Sequence, residues 1–337
     1  MYDFSLGIAV PAQDNTEPDA TKKVMAEAIQ IYSQNVLSKY PWIDQGYHVP
    51  DPVPAILPLI SQRNRYPGNI TIIPTLYGIK NFGPGLLQAV STEFPIAASG
   101  DTRSIYKAVS AVPGNDIYLN SDVIRVRRNK QGAVVTIRQK GKTTTIKAKK
   151  LLVAVPQTIE NMKAFDLSEK ERRLFSKVSA FGYVAGVANI PGLDVSLQNI
   201  GIMIPDKTPM IPGSNGYVYS GSPSQFLLGV AFDNTGYTIT RSKSLIRKEL
   251  ATLARVGAVA RDSRKSVTFP YISNHVPYNL HVTRKETVKR FYKELLDLEG
   301  YLNTYWTGAA FAGHNSGLIW KWNDGTVLPA LNKSLGP

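Results

Sequence analysis

The chain has 337 residues, 43% of them hydrophobic and 19% charged, which excludes a disordered or fibrous protein. It also leaves room for two domains, since single cores seldom grow beyond roughly 250 to 300 residues. The net charge of +14 comes in short clusters rather than in blocks of about five or six like charges, so a solvated sheet face accounts for it better than a nucleic-acid tract, and the absence of cysteine rules out disulfides, zinc–thiolate sites and a thiol nucleophile.

In chain order, the first 23 residues show no charged start followed by an apolar run, so no secretory signal is visible. No stretch approaches the roughly 18 apolar residues of a membrane span, which makes the cytoplasm the default location and a membrane partner unexpected. Val24, Ala28, Ile31 and Val36 recur at near-helical spacing and the pattern stops before Pro41, predicting a helix over residues 19–38. Pro50, Pro52, Pro54 and Pro58 then allow only turns and short helical pieces. The segment NITIIPTLYGIKNFGPGLLQAV joins a β-branched run to a Gly-Pro-Gly interruption. In GDTRSIYKAVSAV, Asp101 or Thr102 is the expected N-cap, with Ile105, Ala108 and Val109 on one face.

Four strand-like runs follow, DIYLN, DVIRVRR, AVVTIRQ and TTTIKA, with NKQG and KGK suited to hairpin turns. LLVAVP is apolar on both faces, as in a buried strand of a larger sheet. Ser168 stands three residues before Glu171, the spacing of a capping box, which predicts a helix in LSEKERRLFSKV. FGYVAGVANI, GYVYSGS and QFLLGVAFD read as antiparallel strands, and SKSLIRKELATLA and RKETVKRFYKELLDLE as amphipathic helices. The final strand LNTYWTGAAF and a helix starting near Ser316 are too small to be a domain, so they must complete a sheet built by earlier residues.

Seven stretches carry a resemblance: KYPWIDQGYHVPDPVP (39–54), PTLYGIKNFG (74–83), SGDTRSIYKAVSA (99–111), IYLNSDVIRVRR (117–128), KKLLVAVPQTIENM (149–162), ISNHVPYNLHV (272–282) and TYWTGAAFAGHNSGLIWKW (304–322). In this order they resemble the fungal FAD-dependent oxidoreductases of the β-cyclopiazonate dehydrogenase type, a branch of the flavin amine oxidase superfamily. The resemblance implies an α+β / α/β fold with a discontinuous FAD-binding domain over 95–160 and 299–337, and a mixed-sheet and helix substrate domain over 1–94 and 161–298. It further implies non-covalent FAD, a small-molecule substrate that loses a hydride from a C–N or C–H bond to flavin N5, and a role in secondary metabolism.

Residue by residue, Val123 matches the position whose backbone faces the adenine end of FAD. Gly308, Ala309 and Ala310 match the turn that approaches the cofactor chain, and Ser316, Gly317 and Leu318 match the helix start near the flavin pyrimidine edge. Small residues let backbone approach a ligand, and a helix start favours the negative charge that builds on a reduced flavin. Trp306 and Phe311 are candidates for an aromatic pocket wall, and His275 lies in a stretch that in the family faces substrate.

The chain departs from the family in two places. Gly308 is followed by Ala309 where many members have an acidic residue, and no G-x-G-x-x-G fingerprint occurs; FGPGLLQ lacks the third glycine. A shortened member, or an incomplete stretch of one, is therefore expected, with weak or absent FAD binding and with a non-catalytic binding module as the alternative. The four histidines lack metal-site spacing and neither a nucleophile elbow nor a P-loop is present, so no metal, hydrolase or nucleotide-triphosphate chemistry is expected. No side chain is singled out as catalytic acid or base, and the oligomeric state is not legible.

Overall fold

In the computed structural model, which describes residues 1–11, 18–58, 74–92, 97–203 and 208–336, the chain is a mixed α/β protein of two units. Unit 1 comprises Met1–Thr21, Val53–Gly78 and Ser179–Val288, and unit 2 comprises Lys22–Pro52, Ile79–Val178 and Lys289–Pro337. The β-branched run at 70–73 lies outside the described residues. Among the described residues no helix is long and apolar enough to cross a membrane.

The chain opens with the antiparallel pair β1 (Tyr2–Asp3) and β2 (Ile8–Ala9). In unit 2 it then forms the meander β3 (Ser121–Asn129), β4 (Gly132–Gln139) and β5 (Lys142–Ala148), followed by β6 (Leu151–Val153). Unit 1 receives β7 (Ser179–Asn189), β8 (Leu197–Gln198), β9 (Gly213–Tyr219), β10 (Gln225–Phe232), β11 (Thr268–Asn274) and β12 (Tyr278–His281). The last strand, β13 (Thr304–Trp306), returns to unit 2.

Alternation builds the core of unit 1. The sheet runs β11-β7-β10-β9-β8, with β12 also on β7. Val184, Ala188, Phe226, Leu228, Val230 and Phe232 all point to one face, where Ile246, Leu250 and Leu253 of helix Ile239–Arg255 cover them. The residues between them face outward.

In unit 2, β13 pairs in parallel with β6, Thr304 opposite Leu151 and Trp306 opposite Val153. The far edge of β13 is closed by a turn: Trp306 N donates to the Glu299 carboxylate at 3.0 Å, and Gly300 N donates to Thr304 O at 2.8 Å. The capping box forms as expected, with Ser168 as N-cap of helix Glu169–Phe175.

Several expectations are corrected. DIYLN is not a strand: residues 114–116 form a 3-10 turn, and Asn120 at φ 53 turns the chain into β3. RKETVKRFYKELLDLE is two short helices, Arg284–Val288 and Phe291–Leu296, because Arg290 takes a left-handed φ of 63. LLVAVP is buried on one face only, since Leu152 is 40% exposed. As one of the two expected residues, Thr102 is the N-cap of helix Arg103–Ser110, though without a side-chain bond; Asp101 Oδ1 accepts from Arg103 N at 2.9 Å, and the apolar stripe of that helix is exposed.

Candidate functional site

The end of β13 runs into Thr307 and Gly308. Gly308 takes φ 104, a conformation that L side chains rarely adopt, and the single turn Ala309–Ala312 follows it, wholly buried. Within 4 Å of the place where a Cβ on Gly308 would sit, only Ala154 O is found. After Gly313, Asn315 caps helix Ser316–Trp322 by accepting from Gly317 N at 2.8 Å and Leu318 N at 3.4 Å. The Gly317 and Leu318 amides at this helix start are therefore engaged by their own cap.

Beside that helix start lies a cleft of about 550 Å³. Ser316, Gly317 and Leu318 line it together with Asp44, Lys80 and Lys321. Three of the sequence-predicted cofactor residues are thus brought together, with Gly308, Ala309 and Ala310 in the turn that precedes them. Val123 sits on β3 opposite Ile137 and is half-exposed. Trp306 is fully buried, edge-on to Phe175 at 5.0 Å, and Phe311 is fully buried 6.2 Å from Trp322, so both belong to the core of unit 2. His275 is exposed in unit 1, where its backbone N–H donates to Tyr183 O at 2.8 Å.

The charged residues of the cleft were not singled out in the sequence. Lys80 is buried; its Nζ donates to Ile43 O at 2.5 Å and Gly46 O at 2.7 Å and lies 4.9 Å above the Tyr47 ring. Burial lowers its pKa to about 7, with Asp44 opposing the shift and Lys321 adding to it. Asp44 Oδ2 accepts from Lys321 Nζ at 2.7 Å, while its Oδ1 is buried without a hydrogen-bond partner among the described residues. A signal existed for Lys80: it shares a short helix with buried Leu76, Tyr77 and Ile79, so a lone cation stands in an inward-facing pattern.

Lys80 has a testable signature. Folded Lys80 releases its proton near pH 7, whereas the unfolded residue keeps it to about 10.5, so between these values the unfolded chain binds more protons and stability rises with pH. Urea titrations should show the wild type gaining on the order of 2 to 4 kcal/mol over Lys80→Met between neutral pH and pH about 10. An unchanged difference across that window would show Lys80 to be solvated.

The residues present fit a flavin ring better than the rest of FAD. The cleft is large enough for a ring system, the buried Asp44 Oδ1 has no hydrogen-bond partner among the described residues, and Ser316 lines the same cleft. No glycine fingerprint for the pyrophosphate occurs in the sequence. Among the described residues no group of three or more histidine or acidic side chains is placed to hold a metal ion.

No family model matches the chain. The FAD-dependent oxidoreductase dpchF of Colletotrichum higginsianum is 46% identical over 99% of this chain and 76% of its own length. Beta-cyclopiazonate dehydrogenase of Aspergillus flavus is 28% identical over 86% of this chain and 67% of its own. Among solved structures, the CLA-producing fatty acid isomerase from P. acnes superposes with a TM-score of 0.72 at 17% identity, over 97% of this chain and 78% of that one, a likeness of fold alone.

Proposed function

The chain belongs to the FAD-dependent oxidoreductases, and from that premise we propose that it binds FAD non-covalently, with the flavin ring in the unit 2 cleft, and oxidises a small organic substrate of secondary metabolism. The relationship to dpchF, over 99% of this chain and 76% of dpchF, carries this reading.

FAD, when bound, supplies the hydride acceptor. The protein's own share is binding and electrostatics. Asp44 and Ser316, which line the cleft, would hold the ring by accepting from and donating to its polar edge, and Gly308, Ala309 and Ala310 would leave room for the cofactor chain. Lys80, which lines the same cleft with its Nζ held by Ile43 O and Gly46 O, would place its amine near a bound ring.

The test is retention of flavin. The full chain is mixed with FAD, desalted and read by visible absorbance; bound flavin is expected, and a folded colourless protein would overturn the reading. Asp44→Leu should weaken FAD binding about 10- to 100-fold, the loss of one hydrogen bond to a charged acceptor.

A further inference from the structure

The face of the unit 1 sheet opposite its core has a composition of its own. Register places Tyr271 beside Val187, Val187 beside Leu227 and Leu227 beside Val218, an apolar row across β11, β7, β10 and β9. Three of its members are more exposed than covered or equally so: Tyr271 at 61%, Val218 at 55% and Leu227 at 50%. Beside this row a cavity of about 610 Å³ is lined by Tyr183, Gln198, Asn215, Val218, Leu227 and Gly229, among other residues. Among the described residues none that lines it has a charged side chain, in a protein whose net charge is +14.

The polar part of the cavity is prearranged. Tyr183 lies across Gly229, where a Cβ would fall 1.8 Å from the Tyr183 hydroxyl, so this ring position requires glycine beneath it. Tyr183 stacks on Tyr278 with ring centroids 4.9 Å apart at 24°. Asn215 Nδ2 donates to the Tyr183 hydroxyl at 3.2 Å, which fixes that oxygen, while the hydroxyl's own proton has no acceptor among the described residues. Burial raises the phenol's pKa, so it stays a donor at physiological pH.

We propose that this cavity binds an uncharged, flat and largely apolar molecule carrying an acceptor oxygen, whose rings lie on the Val187–Leu227–Val218 row and whose oxygen accepts from Tyr183. The volume falls in the range of small-molecule sites, roughly 300 to 1,000 Å³, and such sites combine apolar walls with a few placed polar groups. The described lining offers no charged side chain to pair with a carboxylate, phosphate or amine, so an uncharged ligand is favoured. The site stands apart from the flavin reading, being built wholly from unit 1.

The probes are 2-acetylnaphthalene and 2-ethylnaphthalene, alike in shape but only the first bearing a carbonyl. Both are titrated calorimetrically into the flavin-free full chain. One saturable site is expected, with the ketone the tighter ligand. Tyr183→Phe should weaken the ketone about tenfold, the value of one hydrogen bond, and leave the hydrocarbon unchanged. Leu227→Lys should weaken both at least about tenfold by placing a charge in the cavity. Both residues lie on the outward face, and an unchanged Tm shows that the variants fold. No saturable binding, equal ketone affinity in Tyr183→Phe, or a Leu227→Lys effect confined to self-association of the chain would each overturn the proposal.

Discussion

Replacing Arg128 by methionine is expected to destabilise the protein by about 3 to 5 kcal/mol, a large share of the roughly 5 to 15 kcal/mol that holds a typical domain folded. The guanidinium is fully buried in unit 2 and serves two carboxylates. Nη1 and Nη2 donate to Glu171 at 2.7 and 2.9 Å, and Nε donates to Asp166 at 2.9 Å. Its carbon sits 5.8 Å from the rings of both Phe165 and Trp306. Removing the cation leaves Glu171, whose side chain is 0% exposed, as a buried anion held, among the described residues, by Ser168. Arg128→Lys should recover less than half of the loss, because an ammonium cannot present the planar fork that meets both acids. Adding Glu171→Leu to Arg128→Met should restore part of it by removing the stranded charge, less about 1 kcal/mol for the lost capping box. Chemical denaturation of the full chain measures all three, and an Arg128→Met variant within about 1 kcal/mol of wild type would show that the burial of the pair carries little energy.

Glu171 also shows where sequence reasoning stops. Its spacing from Ser168 announced a helix start, because capping is local and leaves a fixed offset. That the same carboxylate closes on Arg128, 43 residues away, has no periodic signature. Turn residues and alternation made the β3-β4-β5 meander and the β7, β9 and β10 strands legible for the same local reason. The break at Arg290 was hidden, since its neighbours keep helical spacing while one backbone angle reverses. In the site, Ser316, Gly317 and Leu318 line one cleft, while their assignment to the flavin rests on resemblance. Asp44 and Lys80 stood inside quoted motifs, but their importance comes from burial, a tertiary property. Trp306 reads the same in sequence whether it walls a pocket or fills a core; its contacts with Phe175 and Arg128 put it in the core.

Glu299→Gln is expected to stabilise the protein above pH about 8 and to leave it unchanged in acid. Glu299 is mostly buried at the edge of β13, and burial raises its pKa from 4.5 to about 8 against the opposing hydrogen bond from Trp306 N. Between these values the folded chain binds more protons than the unfolded one, so the stability this group contributes is fully present below pH 4.5 and is lost as pH rises through about 8. Glutamine keeps the acceptor for Trp306 N and never charges, so the variant should gain on the wild type by an order of magnitude of 2 to 5 kcal/mol across that window. Lys80 works with the opposite sign and in a higher window, its contribution growing from pH about 7 toward 10.5. The wild-type stability curve should therefore fall through mild acid, flatten between pH 7 and 8 where the two slopes oppose, and recover in base. Each single variant should remove one limb of that curve and leave the other. A Glu299→Gln variant that tracked the wild type from pH 4 to 9 would mean that this carboxylate is solvated, and that the edge of β13 is open to water rather than sealed by its own turn.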